Sequence, residues 1–154
     1  MKIFITLTII AAMLTPVLAV DGNKAQYIGG TVTGLKEKAE AVLVTSDETG
    51  LRFDAKKDGT VVIPYGLIES LEYGQKAGRR VGVAIMISPL ALFSKKRNHY
   101  LTISYKDAAG KDQAAVFELG KDIVRTSLTV IQTRSGKEIE YQDDEARKSG
   151  LGGK

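Results

Sequence analysis

Ala41–Gly74 reads AVLVTSDETGLRFDAKKDGTVVIPYGLIESLEYG. Three features of this stretch set a β architecture. Leu51 and Phe53 alternate with Arg52 and Asp54, the period of a half-buried strand. Lys57-Asp58-Gly59 is a hairpin turn, because Asp-Gly supplies the positive φ that a tight reversal requires. Thr60–Ile63 is then the return strand, closed by Pro64, which has no N–H to continue a ladder. Upstream, Ser46–Gly50 is a cluster of turn formers that separates this hairpin from the strand Ala39–Thr45. Downstream, Ile68, Ser70 and Glu72 alternate with Glu69, Leu71 and Tyr73. That strand has one mixed face and one partly apolar face.

Working outward, Tyr27–Thr33 carries β-branched residues, with Gly29-Gly30 marking a bend or bulge. Tyr100–Tyr105 and Gln113–Leu119 form a second hairpin around the turn Asp107–Asp112. About seven strands joined by short turns are expected, as in an antiparallel sandwich or barrel. Lys121–Arg134 has a different texture. Val124, Leu128 and Ile131 recur at helical spacing, Gly120 and Gly136 bracket the stretch, Asp122 lies in the first turn and Arg134 in the last. The competing reading is a further strand, since half of these residues are β-branched. The bracketing and the apolar stripe favour a helix. Lys137–Tyr141 offers a short extended piece, and the polar, glycine-rich 142–154 has the composition of a disordered tail.

The first residues have the pattern of a secretory signal. Lys2 supplies a positive charge, Ile3–Leu14 is an uncharged apolar run, and Pro16 precedes modest side chains ending in Ala19. The apolar run is shorter than the ~20 residues of a spanning helix. Cleavage between Ala19 and Val20 removes one lysine and lowers the net charge from +4 to +3. Residues 20–26 are a flexible lead-in to a domain over 27–141, and the expected location is periplasmic or secreted. The chain has no Cys and one His among its 154 residues. It therefore has no thiol nucleophile, disulfide or thiolate metal site, and no multi-histidine centre. No cofactor is implied. The basic excess is too small to indicate a nucleic-acid partner.

Seven strands followed by one helix is the element order of the pleckstrin-homology-like superfold. Ala41–Gly74 also resembles the core of GRAM-type and bacterial PH-type domains. These show a strand, a turn, a strand ending in an aromatic residue, a hairpin, and an I-P-Y-x-x-I-x-S-[LIV] passage. Here that passage is Ile63-Pro64-Tyr65-Gly66-Leu67-Ile68-Glu69-Ser70-Leu71. The hairpin and helix over Tyr100–Arg134 fit the family's ending, so the resemblance covers Tyr27–Gly136. It implies a partly open antiparallel barrel capped by the helix, and a non-enzymatic module that binds lipids, peptides or proteins. Most familiar members act inside cells, whereas this chain begins with the pattern of a secretory signal. A phosphoinositide-type basic loop is also missing, because the first hairpin offers only Lys36 and Lys38, with Glu37 between them.

The unusual segment is RRVGVAIMISPLALFSKKR, Arg79–Arg97. Thirteen uncharged residues, Val81–Phe93, lie between Arg79-Arg80 and Lys95-Lys96-Arg97, and no acid occurs between Glu72 and Lys106. Ile85, Ile87, Leu90, Leu92 and Phe93 can enter an acyl boundary while the flanking cations meet anionic headgroups. Each such cation is worth about 1 kcal/mol near an anionic surface. Pro89 and the short length exclude a spanning helix. Two alternatives compete with the anionic membrane surface: a docking strip for a protein partner or homo-oligomer, and a strand of the core over Val81–Ile87 with a following loop.

Other constellations are weak. His99 is the lone His, beside Asn98 at a strand start, where a surface role is the ordinary one. Asp47-Glu48, Glu69, Glu72 and Asp143-Asp144-Glu145 are the carboxylates that a hydrolase would need, yet none sits in a motif that predicts a pocket. Tyr65, Tyr73, Tyr100 and Tyr105 are strand-type tyrosines that can also line a groove. The expectation is a mainly β, exported, PH-like binding or scaffold module. Its rivals are an assembly subunit and, more remotely, a carboxylate hydrolase.

Overall fold

The computed structural model describes residues 24–76 and 98–151. The alternating stretches fold as strands: β1 (Lys24–Gly30), β2 (Glu40–Val44), β3 (Gly50–Ala55), β4 (Gly59–Pro64), β5 (Ile68–Gly74), β6 (His99–Lys106), β7 (Asp112–Leu119) and β8 (Ile139–Tyr141). A 3-10 turn, Tyr65–Leu67, joins β4 to β5. Helix α1 spans Val124–Ser135, and α2 spans Asp144–Leu151.

The strands form one mixed sheet in the order β4-β3-β2-β1-β7-β6-β5-β8, open between its edges β4 and β8. The antiparallel expectation holds from β4 to β5. It fails at β8, which pairs parallel to β5 with Tyr73 opposite Tyr141. Among the described residues there are eight strands, the eighth lying in the stretch Lys137–Tyr141 expected to be a short extended piece. β1 begins inside the stretch read as a flexible lead-in. α2 occupies the stretch read as a disordered tail over 142–154. Both are corrections, and the reason is tertiary: β1 pairs with β2 and β7, and α2 packs against β5.

Inward side chains make the core. Leu43, Leu51, Phe53, Ile63, Leu101, Ile103 and Phe117 are fully buried. In strand order, β2 and β1 lie between β3 and β7. In a flat sheet, three steps of about 4.8 Å would put Phe53 and Phe117 roughly 14 Å apart. Their rings instead stack with centroids 3.5 Å apart. The sheet is therefore strongly curled, so that its β3 and β7 portions meet through side chains. The bulge between Tyr27 and Gly29 assists the bend. Gly30, at φ 141°, lies so close to the Ala114 carbonyl that no Cβ would fit.

α1 is three residues shorter at its start than the sequence spacing suggested. Its buried face is Val124, Ser127, Leu128 and Ile131. Gly136 closes it in the left-handed region, with its N–H donating to the Gln132 carbonyl at 2.9 Å. Arg134 ties the last turn to the β2–β3 turn. Its Nη1 donates to the Thr45 carbonyl at 2.6 Å and also to the Asp47 carbonyl. Its guanidinium stands over the Tyr65 ring, 5.7 Å from the centroid.

Candidate functional site

Arg79, Arg80, Ile85, Ile87, Leu90, Leu92, Phe93, Lys95, Lys96 and Arg97 lie outside the described residues. So does the proposed cleavage point at Ala19 and Val20. The ends of β5 and β6 on either side of this segment, through Lys76 and from Asn98, are among the described residues. β5 and β6 are antiparallel partners whose last pair is Gly74 with Tyr100, so the segment belongs to the connection across that hairpin.

The C-terminal residues converge on this end of the hairpin. The Gln142 N–H donates to the Tyr73 carbonyl at 3.0 Å and prolongs the parallel β5–β8 pairing. The Gln142 side chain then reads the backbone of Lys76. Its Nε2 donates to the Lys76 carbonyl at 2.7 Å, and its Oε1 accepts from the Lys76 N–H at 3.3 Å. The same Nε2 reaches Glu72 Oε1 at 3.1 Å. This requires glycine at 74. A Cβ there would stand 1.8 Å from Gln142 Cδ.

On the opposite strand, His99 Nδ1 is 2.5 Å from the Tyr73 hydroxyl. That hydroxyl is 3.2 Å from Ser149 Oγ on α2. Ser149 Oγ in turn donates to the Ala146 carbonyl at 2.9 Å. The Tyr73 ring is wholly buried, in edge contact with Tyr141, and Gly150 packs against both rings. Asp143 Oδ1 caps α2 by accepting the Ala146 N–H at 2.7 Å. His99 is held below the ordinary imidazole pKa, first by burial and then by Lys121, with Glu118 opposing. Burial raises the Tyr73 hydroxyl pKa.

The sequence places His99 at the surface and gives the tyrosines wet hydroxyls on strands. His99 is half-buried, and Tyr65, Tyr73, Tyr100 and Tyr105 are all buried. The available signal was the coincidence of one His at a strand start with a Tyr near the end of the neighbouring strand.

Several of the remaining candidate groups have structural partners. Asp47 accepts from the Thr49 N–H and hydroxyl, which hold its carboxyl below the usual range. Glu69 lies 3.8 Å from Lys106 Nζ, and Glu72 accepts from Gln142. In the β1–β2 loop, Lys36 lies 3.9 Å from Asp58 of the β3–β4 turn. Among the described residues, no group of three His, Cys, Asp or Glu side chains is placed to hold a metal ion. None of the described helices is long and apolar enough to cross a membrane. Two surface grooves carry charges of both signs. One lies between α1, β8 and α2, with Glu138, Asp143, Asp144 and Arg147; the other lies at the β1–β2–β7 end, with Lys24, Glu40, Lys56 and Glu118. No family model matches the chain, and no curated protein does.

Proposed function

We propose that the protein is an exported, non-enzymatic, PH-like binding module that presents Arg79–Arg97 to an anionic membrane surface. The PH-like reading is supported by the meander that returns β7 to β1, by the curl that stacks Phe53 on Phe117, and by a helix following the seventh strand. The observation that carries the functional reading is positional. A two-stranded hairpin needs a turn of only about 2–5 residues, yet residues 75–98 separate β5 from β6. That connection holds the uncharged run Val81–Phe93, thirteen residues, with five cations flanking it. Long connections on a rigid sheet are where binding surfaces are carried. The apolar residues supply burial at the acyl boundary and the cations supply attraction to headgroups.

Co-sedimentation with vesicles is the test. The protein without its leader binds vesicles rich in phosphatidylglycerol at low salt and leaves phosphatidylcholine vesicles in solution. Replacing Lys95, Lys96 and Arg97 by Glu lowers affinity by at least about 100-fold, given about 1 kcal/mol for each cation lost. No binding to anionic vesicles at low salt ends the membrane reading. The assembly alternative is read in the same preparation. A concentration-dependent oligomer that Ile85→Asp or Leu92→Asp dissociates would replace the membrane by a second copy. A monomer that those changes merely unfold would place the run in the core.

A further inference from the structure

The two edges of the open sheet differ. β8 is three residues long and carries Glu140 in its middle. A short edge with a charge discourages further pairing. β4 has neither protection. Its six residues, Gly59–Pro64, meet no further strand on their outer side among the described residues, and no charge lies between Asp58 and Glu69. Val62 is 49% exposed on the outer face. Val61, on the core face, is only partly buried.

The ladder with β3 fixes which backbone groups of β4 point outward. The Tyr65 N–H donates to the Thr49 carbonyl at 3.1 Å, so that pair is hydrogen-bonded. Alternation then makes Leu51–Ile63 and Phe53–Val61 hydrogen-bonded pairs as well. Thr60, Val62 and Pro64 therefore turn their backbone groups away from β3. Pro64 has no N–H to offer. Thr60 and Val62 remain, each with one donor and one acceptor. A second, antiparallel β4 matches them in one register. Val61 faces the partner's Val61 across the two-fold axis, and Thr60 and Val62 exchange hydrogen bonds with the partner's Val62 and the partner's Thr60. Every outward N–H and C=O of these four residues is then paired. Moving the axis to Val62 sets Thr60 against the partner's Pro64 and leaves the Thr60 carbonyl without a donor. In the first register Lys57 faces the partner's Tyr65 and Asp58 faces the partner's Pro64, so no like charges stand opposite each other.

We propose that β4 is a self-pairing edge, at which two copies of this chain join about a two-fold axis at Val61 and continue the sheet from one copy into the other. The match of the edge with itself, in donors, acceptors and charge, selects a second copy as the occupant. The interface is one strand wide, so the dimer is transient, with a dissociation constant on the order of 100 µM. The proposal uses no residue of Arg79–Arg97 and goes beyond the membrane reading.

Disulfide trapping tests the register, because the chain has no Cys of its own. Val61→Cys puts two thiols in a non-hydrogen-bonded pair with Cα atoms about 4.5 Å apart, within disulfide range. Position 62 is the more exposed, yet two Val62→Cys residues would stand about 9 Å apart, beyond that range. Under mild oxidation Val61→Cys should cross-link at least about tenfold faster than Val62→Cys. Equal rates, or the reverse order that exposure alone dictates, overturn the register. Sedimentation of the unsubstituted protein up to about 1 mM should show monomer and dimer in equilibrium. Val62→Lys, at an exposed site, should raise the dissociation constant at least about tenfold and leave the fold intact. A monomer throughout overturns the proposal, as does an oligomer that Ile85→Asp dissociates and Val62→Lys does not. Amide exchange needs no variant. Protection at Thr60 and Val62 should grow with protein concentration, while Val61 and Ile63, bonded to β3, stay protected at every concentration. Full protection of Thr60 and Val62 in dilute protein would mean that the edge is covered within one chain, and overturns the pairing.

Discussion

His99 shows how a single side chain acquires a role from its neighbours. Burial and Lys121 hold its pKa below the ordinary value of about 6.5 for an unfolded chain. The unfolded state therefore takes up a proton before the folded state does. The stabilisation is complete above about pH 6.5 and is lost as pH falls from there toward the folded value. His99→Asn keeps an N–H donor near the Nδ1 position and removes the titration. Urea unfolding from pH 7.5 to pH 5 should show a larger loss of stability in wild-type protein than in His99→Asn. Parallel curves for the two would mean that His99 does not carry this linkage. Asp47 and Asp107, both held low by hydrogen bonds, titrate further down and act equally in both proteins.

The elements divide by how much of their cause is local. β2 to β4 were legible because alternation, the Asp-Gly turn and Pro64 all point to the same hairpins, and the register pairs Leu51 with Ile63 as that reading requires. α1 was legible from its stripe and from Gly136, although its first turn was placed three residues early. β8 was legible only as a short extended piece over Lys137–Tyr141, with no sign of its parallel partner, and α2 was not legible. Three residues make too short a period to read, and α2 is polar, docking through an alanine and a glycine instead of a leucine stripe. The site follows the same division. The charge pattern of Arg79–Arg97 stands in the sequence, whereas the C-terminal contacts with the end of β5 depend on Gln142, Ser149 and Gly150, which carry no local signal. α1 offers a direct test of a tie between elements. A lysine at 134 keeps the charge but loses the planar group that spans two carbonyls and lies on Tyr65. Arg134→Lys should lower unfolding free energy by about 1–2 kcal/mol, with an unchanged denaturant slope. A loss below about 0.3 kcal/mol would show that the tie is replaceable.

At the scale of the whole molecule, the decisive property is the curl of the sheet. Strand order alone is compatible with a flat open sheet, in which residues of β3 and β7 never meet. The stacked pair Phe53–Phe117 fills the inside of the bend, with Tyr27 tilted against Phe117 at 5.6 Å. Burial of both rings is what the curl gains. A double-mutant cycle measures it. Phe53→Leu and Phe117→Leu keep apolar volume while removing the ring contact, and each should cost about 1–2 kcal/mol. Residues more than about 7–10 Å apart usually behave additively. In a flat sheet the two losses would therefore sum. In the curled sheet the double variant should be more stable than the sum by about 0.5–1.5 kcal/mol, the range for an aromatic pair beyond its buried area. Additivity within about 0.3 kcal/mol would remove the contact, and with it the barrel-like curvature on which the PH-like reading depends. Coupling would fix the two halves of the meander as one rigid support.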